Sequence, residues 1–434
     1  MAKRGIVKFY KGDAVKYWLI CYRVFFVSIC YVTIIGSAYN ATNGAKGIRK
    51  TAPEPHILLV YKQSGVFGGV GSVKNAKGLH GSEVYTQNLF KHLIACGVPV
   101  EMLVVNDNNL YAAYRACGFP VYTLNGEGSS GGNLAERIKE LCVQTGANVV
   151  HCGGTSEADA AVRAAKKAPI RVVLTAHCEL GGNDKHFKGV HGALCVSMLS
   201  AAKLITENEQ QKLGIKKIKF LAPFFDEDAF LHFKTNRSRA DFFKQEFDIA
   251  IKDAPLITMV ANFYPKFKDH ATVLRAAQKL VQEEHIPVQV AFAGCGSSMQ
   301  MVLKLVADLH LQDSVYFLGH IDTIPELYYH TDIAVLSSTS EAFGIALLEA
   351  ALMKRPLVGT RGTGMESIVK HEQTGLLFGM RNADELTACF KRLIKDKLYA
   401  VRLGDAAYDF TLEHYVSHAT VRELLAFYRD VLQG

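Results

Sequence analysis

From Pro55 onward, short apolar runs alternate with longer amphipathic ones in two successive series. HILLVY (56–61), VEMLVV (100–105), FPVYTL (119–124), NVVHC (148–152) and IRVVLTAH (170–177) make up the first. Runs this apolar, with no polar residue at every second position, fit strands buried on both faces of a parallel sheet. Parallel strands need crossovers. Patterns such as SEVYTQNLFKHLIACG (82–97), which ends on a glycine suited to a C-cap, supply the helices. After the charged stretch KTNRSRADFFKQEF (234–247) the second series runs APLITMVAN (254–262), VQVAFAG (288–294), SVYFLG (314–319), IAVLSS (333–338) and RPLVGT (355–360). Two consecutive βαβ series predict an α/β protein of two doubly wound domains facing a cleft, and 434 residues are too many for one ordinary core. The expected divisions are an extension at 1–50, a first domain at 51–233, a second at 234–410 and a terminal helix at 411–434.

Charge narrows the classes of partner. The formal charge of +8 suggests nucleic acid, but residues 1–50 carry all of it, with nine Lys/Arg against Asp13. The rest of the chain is neutral, so it has no basic bias that would follow a phosphate backbone, and no nucleic-acid partner is expected. Within the extension, residues 17–39 are apolar but for Arg23; with Arg23 snorkelling, the segment reaches the ~20 residues that span a bilayer. It reads as a membrane anchor with basic flanks drawn to anionic lipid, as a signal peptide cleaved near Gly36-Ser37-Ala38, or as a hydrophobic helix packed on the body. The ten cysteines show no CxxC or Cys/His spacing, which favours free thiols in a reducing compartment and predicts no metal site. The expectation is a membrane-associated protein with both domains in the cytoplasm. The excess of positive charge ahead of the apolar segment pulls against that topology.

In open α/β sheets ligands bind beyond the strand C-termini, so the residues just after each run carry the functional information. The first run leads into a glycine-rich loop that enters a helix near Ser82; glycines let backbone N–H groups approach a ligand, and a helix N-terminus suits phosphate. An ordinary long loop fits the same residues. His177 closes VLTAHCELGG, where an imidazole donates to a ligand oxygen or satisfies a backbone carbonyl. In VANFYPKFKDH, Asn262 stands at the strand end and Lys268 six residues on, a solvated lysine or a cation for a diphosphate. Gly294, Gly296 and Gly319 supply tight turns at two further strand ends. In SSTSEAFGIALLEAALMKRPLVGT (337–360), a helix starting near Gly344 aims the N–H groups of Phe343 to Ala346 at an anion. Glu341, in the turn, accepts from sugar hydroxyls. Glu349, eight residues on and on roughly the same helix side, accepts a vicinal diol such as that of ribose. The competing assignment makes Glu341 a helix cap and pairs Glu349 with Lys354 or Arg355.

These residues resemble the donor-site signature of the retaining glycosyltransferases of family 4, whose fold is GT-B. The likeness rests on the E-x7-E spacing of Glu341 and Glu349, the Phe-Gly pair between them, and the later GTGMESI turn. VANFYPKFKDHATVLRAA, FAGCG, FLGHID and HGSEVYTQNLFKHL fall in the family's order, and the resemblance covers roughly 56–434. It implies two Rossmann-like domains, with the last helix crossing back onto the first. It also implies transfer of a sugar from a nucleotide diphosphate sugar to an acceptor hydroxyl with retention, without a metal or other cofactor.

By the same resemblance Glu349 holds the ribose, Glu341 the transferred sugar, and Phe343, Gly344 and Ile345 meet the sugar and diphosphate through their N–H groups. Lys268 binds the diphosphate together with position 262, Gly81 closes on it, Gly294 belongs to the donor pocket, Ile321 contacts the base and His177 sits beside the sugar. Three positions depart from the pattern: Asn262 stands where the family has arginine, His80-Gly81 replaces a glycine pair, and Thr363 breaks the paired glycines of the late turn. A membrane tether suits a lipid-linked or cell-surface glycan as acceptor. An inactive nucleotide-sugar-binding scaffold, motivated by Asn262, and a nucleotide-sugar epimerase are the alternative functions.

Overall fold

The protein is described by a computed structural model over residues 53–62, 81–125, 131–176, 187–225, 227–264 and 267–434. Seven parallel strands form the first sheet: β1 (Ile57–Lys62), β2 (Val100–Val105), β3 (Val121–Leu124), β4 (Val149–Cys152), β5 (Arg171–Ala176), β6 (Gly192–Cys195) and β7 (Lys217–Phe220). Their order is β3-β2-β1-β4-β5-β6-β7. Six parallel strands form the second: β8 (Leu256–Val260), β9 (Gln289–Ala293), β10 (Val315–Gly319), β11 (Ile333–Leu336), β12 (Leu357–Thr360) and β13 (Gly375–Phe378), ordered β10-β9-β8-β11-β12-β13. Helices connect the strands, so both faces of each sheet are covered and the central strands are buried along their length, as the apolar runs predict. The winding reverses between β1 and β4 and again between β8 and β11. At such a switch point the connections leave in opposite directions and open a crevice beyond the strand ends.

Three strands were not expected from the sequence: β6 (GALC), β7 (KIKF) and β13 (GLLF). Each has four residues, too few for periodicity to register, and β7 is an edge strand whose two lysines interrupt its apolar pattern.

The last helix, Ser417–Gln433, belongs to the first sheet's core through Val421, Leu424, Phe427, Tyr428 and Val431. Gly192 on β6 makes this possible: a Cβ there would lie 2.7 Å from the Val431 side chain and 2.8 Å from the Phe427 ring. The two chain crossings between domains are stitched together. The carboxylate of Glu227, buried in the first crossing, accepts from the N–H (2.8 Å) and hydroxyl (2.5 Å) of Ser417, the first residue of the terminal helix. Ser417 Oγ also lies 2.9 Å from His92 Nε2, on the helix Gly81–Ala95. Among the described residues no helix is long and apolar enough to cross a membrane; residues 17–39 lie outside them.

One buried titratable group of the second domain makes stability depend on pH. His270 is 3% exposed and stacks on Phe263 with ring centroids 4.3 Å apart; burial pushes its pKa from 6.5 down to about 4. The folded state therefore holds the neutral imidazole, and stability present above the unfolded pKa is lost as pH falls from 6.5 towards 4. The expected loss between pH 7 and pH 5 is about 2 kcal/mol. Urea midpoints at the two pH values, for the wild type and for His270→Phe, check this: the variant lacks that share of the pH slope. Equal slopes in the two proteins would refute it.

Candidate active site

The second sheet's switch point brings two strand-end segments together. After β8 the chain passes through Ala261, Asn262 and Phe263, held against the end of β9 by Ala261 N–H donating to Ala293 O and Phe263 N–H to Cys295 O, each at 2.9 Å. This approach needs glycine at two positions. Gly294 (φ +143°) and Gly296 (φ +158°) would place a Cβ 2.2 Å from Ala261 O and 2.4 Å from Phe263 O. After β11, Ser337 Oγ donates to Asp269 O (2.9 Å) and Lys268 O (3.2 Å), and Thr339 N–H donates to Phe267 O at 2.7 Å. These bonds lock the Lys268 segment to the turn that carries Glu341.

Within that frame Lys268 Nζ donates to Glu341 Oε2 at 2.5 Å, and Ser338 Oγ donates to the same oxygen at 3.0 Å. Both ends of the ion pair are largely buried, with side chains 22% and 16% exposed. Glu341 O accepts from Gly364 N–H at 2.8 Å, which ties the turn to the short 3-10 helix Gly364–Ser367. The helix after the turn is Ile345–Leu352, and its N-cap Gly344 takes φ +98°, ψ +53°, a left-handed conformation that favours glycine. The first N–H groups of such a helix have no intrahelical acceptor and point outward with its positive dipole end.

The space they face is a cavity of about 380 Å³. Lys268, Glu341, Phe343, Gly344 and Ile345 line it from the second domain, and Tyr85, Val196 and Pro223 from the first. A cation, a carboxylate and a helix N-terminus thus converge in a cleft between two domains. That combination holds an anion and a polyhydroxy group side by side.

Of the residues picked out from the sequence, these five meet in one cavity. Asn262 is exposed at the end of β8, where its Oδ1 accepts from Cys295 N–H at 3.5 Å, and Gly294 lies beside it; both border the crevice without lining the cavity. Ile321 packs against the cluster that contains Phe242, Leu318 and Leu327. Gly81 is the first residue of its helix, and His177 lies outside the described residues. Glu349 is half-buried on the helix Ile345–Leu352, and its charge adds to the burial that raises the Tyr328 phenol well above its usual range. Lys354 instead pairs with Asp405 at 2.9 Å, and Arg355 donates to the main-chain oxygens of Met353 and Thr331.

Glu341 and Glu349 are not related by helix periodicity, because the left-handed Gly344 separates the turn from the helix. Glu349 instead shares its face with Ile345, one turn earlier and lining the cavity.

Residues 241–410 match the family described as Glycosyl transferases group 1. Over those residues the chain carries a group 1 glycosyltransferase domain. It is 27% identical over 361 residues to the N-acetyl-alpha-D-glucosaminyl L-malate synthase of Bacillus anthracis, an alignment that covers 79% of this chain and 89% of that one. Among solved structures, a glycosyltransferase from Rickettsia africae superposes with a TM-score of 0.71 at 19% identity, covering 88% of this chain and 99% of that one. HepE of Anabaena, solved with UDP, gives 0.68 at 16% identity, covering 85% and 98%. Two facing doubly wound domains with a terminal helix returning to the first are the GT-B fold.

Several parts of this cleft carry little signal in the sequence. The Phe343 ring is 2% exposed, stacked on Phe220 of β7 (6.3 Å) and edge-on to Tyr415 (5.3 Å), so it pins the Glu341 turn to the domain junction. Ser338 orients Glu341, and the only sequence signal for it was a serine pair at a strand end. Thr363 turns out to suit its place. It has an extended φ of −127°, and its hydroxyl donates to Thr360 O (2.9 Å) and accepts from Met365 N–H (3.4 Å), so a second glycine is not needed there.

Proposed function

We propose that the chain moves a sugar from a UDP-sugar to an acceptor hydroxyl with retention at the anomeric carbon. The observation that carries this is the Lys268–Glu341 pair beside the N-terminus of the helix Ile345–Leu352, in a cavity walled by both domains. UDP as the nucleotide follows HepE, solved in complex with UDP. The barrier is cleavage of the bond between the anomeric carbon and the diphosphate oxygen. Negative charge then grows on the diphosphate, where Lys268 and the N–H groups at Gly344 and Ile345 stabilise it. The acceptor hydroxyl attacks from the face the diphosphate leaves, and its proton passes to a phosphate oxygen. Glu341 orients the sugar through its hydroxyls and Glu349 holds the ribose.

The acceptor follows the relative that aligns over most of the chain: a hydroxy acid such as L-malate. The lipid-linked glycan suggested by residues 17–39 is the competing arm of the same assay. Release of UDP from UDP-sugars, with each acceptor and with none, tests the reading. Acceptor-stimulated UDP release supports transfer, and UDP binding without any release supports the inactive scaffold that Asn262 suggests. Glu349→Ala is expected to raise the KM for the donor about tenfold or more, the worth of a charge-assisted hydrogen-bond pair. Unchanged turnover and donor affinity in that variant would sink the donor-site assignment.

A further inference from the structure

A chain of buried polar side chains runs through the first domain, from the terminal helix to the cleft. Tyr428, fully buried on the helix Ser417–Gln433, has its hydroxyl 2.6 Å from His151 Nδ1. His151, on β4 and 2% exposed, has Nε2 2.6 Å from the Thr175 hydroxyl on β5. Thr175 in turn faces the hydroxyl of Tyr85, which lines the cavity from the helix Gly81–Ala95. A neutral imidazole, with one donor and one acceptor nitrogen, completes this chain in either direction. Packing alone does not call for it: apolar side chains would fill the same volume without the cost of burying four polar groups. What the two hydrogen bonds add is a fixed mutual placement of the terminal helix, β4 and β5, with Tyr85 of the cleft wall against Thr175. The terminal helix arrives from the second domain. β5 ends at Ala176, immediately before His177, and its carbonyl accepts from the N–H of Val196, which lines the cavity.

We propose that His151 is a positioning residue for transfer, setting the first-domain wall at Tyr85 and the end of β5 against the donor cavity according to where the terminal helix lies. It touches no substrate and acts through Thr175 and Tyr85. The inference rests on the transfer reaction proposed above and adds a first-domain element to it. Because the second-domain residues hold the donor, disturbing the chain should harm acceptor-dependent transfer and spare donor hydrolysis.

Tyr428→Phe and Thr175→Val each remove one hydroxyl and keep the side chain's shape. Each is expected to lower kcat for transfer about tenfold, the factor a hydrogen bond in a buried network commonly carries. The KM for the donor and acceptor-independent UDP release should stay near wild type. The double variant should lose no more than either single one, because both cut the same chain. Losses that multiply, or a Tyr428→Phe enzyme with unchanged kcat, would overturn the proposal. Amide hydrogen exchange gives a readout independent of turnover, so a wild type inactive on every donor would count against the transfer reaction and leave this inference open to test. Tyr428→Phe is expected to speed exchange in residues 81–95 and leave residues 337–352 unaffected. Unchanged exchange in 81–95 overturns it.

Discussion

Replacing Lys268 by alanine is expected to lower kcat by about two to three orders of magnitude, the usual effect of deleting one preorganised group that stabilises a developing oxyanion. Lys268 is the one cation lining the cavity among the described residues, and its side chain is 22% exposed, so solvent does not replace it. Deletion also leaves Glu341 without its ion-pair partner at the place proposed for the diphosphate, adding repulsion to the lost attraction. Lys268→Arg should recover only part of the activity, since a planar guanidinium cannot reproduce a compact ammonium held on the Glu341 oxygen that also accepts from the Ser338 hydroxyl. Asn262→Arg supplies the complementary result. Position 262 is exposed and its side chain makes a long contact with Cys295 N–H, so an arginine fits without burial cost. A second cation at the leaving group should raise kcat/KM about tenfold. Single-turnover measurement of UDP release checks both; a Lys268→Ala enzyme with wild-type kcat would remove the electrostatic account of catalysis.

The second-domain side of the candidate cleft was legible because its residues are local in the chain. Lys268 and Glu341 follow β8 and β11, the two strands at the switch point, so the rule that ligands sit beyond strand ends found both before any contact was known. Gly294 and Gly296 were legible as tight turns at a strand end, though not the close backbone approach that requires them. The first-domain wall was not. Tyr85 sits in an amphipathic helix where an aromatic residue reads as ordinary core, and Val196 and Pro223 carry no chemical signal at all. What places them in the cleft is the docking of two domains through Phe343, Phe220 and Tyr415, contacts between residues far apart in the chain. The position of Glu349 shows the opposite error. A motif spacing was converted into helix geometry across a residue that is not helical, and one left-handed glycine removed the basis for the angle.

Gly364→Ala is expected to be the most damaging single methyl that the donor site can receive. A Cβ at this position would lie 1.8 Å from Ala342 O, 2.3 Å from Ala342 C and 2.8 Å from Glu341 O. All three are main-chain atoms, so no rotamer change relieves the clash, and the Glu341–Ala342 segment must move by about 1 Å or more to reach ordinary contact distance. That displacement also breaks the hydrogen bond from Gly364 N–H to Glu341 O, which holds the turn in place. A shift of this size at groups that position a reacting centre costs about a hundredfold in rate. The backbone strain should lower stability by about 2–4 kcal/mol.

Two neighbours serve as controls. Thr363→Gly adds no bulk and removes only the hydroxyl contacts of a cap, so it should cost about 1 kcal/mol of stability and little activity. Glu341→Ala truncates the same turn without moving its backbone, so it should abolish most transfer while leaving the unfolding midpoint close to wild type. Loss of both stability and turnover in Gly364→Ala, of turnover alone in Glu341→Ala and of neither to any large degree in Thr363→Gly is the pattern that a backbone-packed donor turn requires. A stable, active Gly364→Ala enzyme would mean that the turn bearing Glu341 has room to yield, and the tight placement assigned to it would then fall.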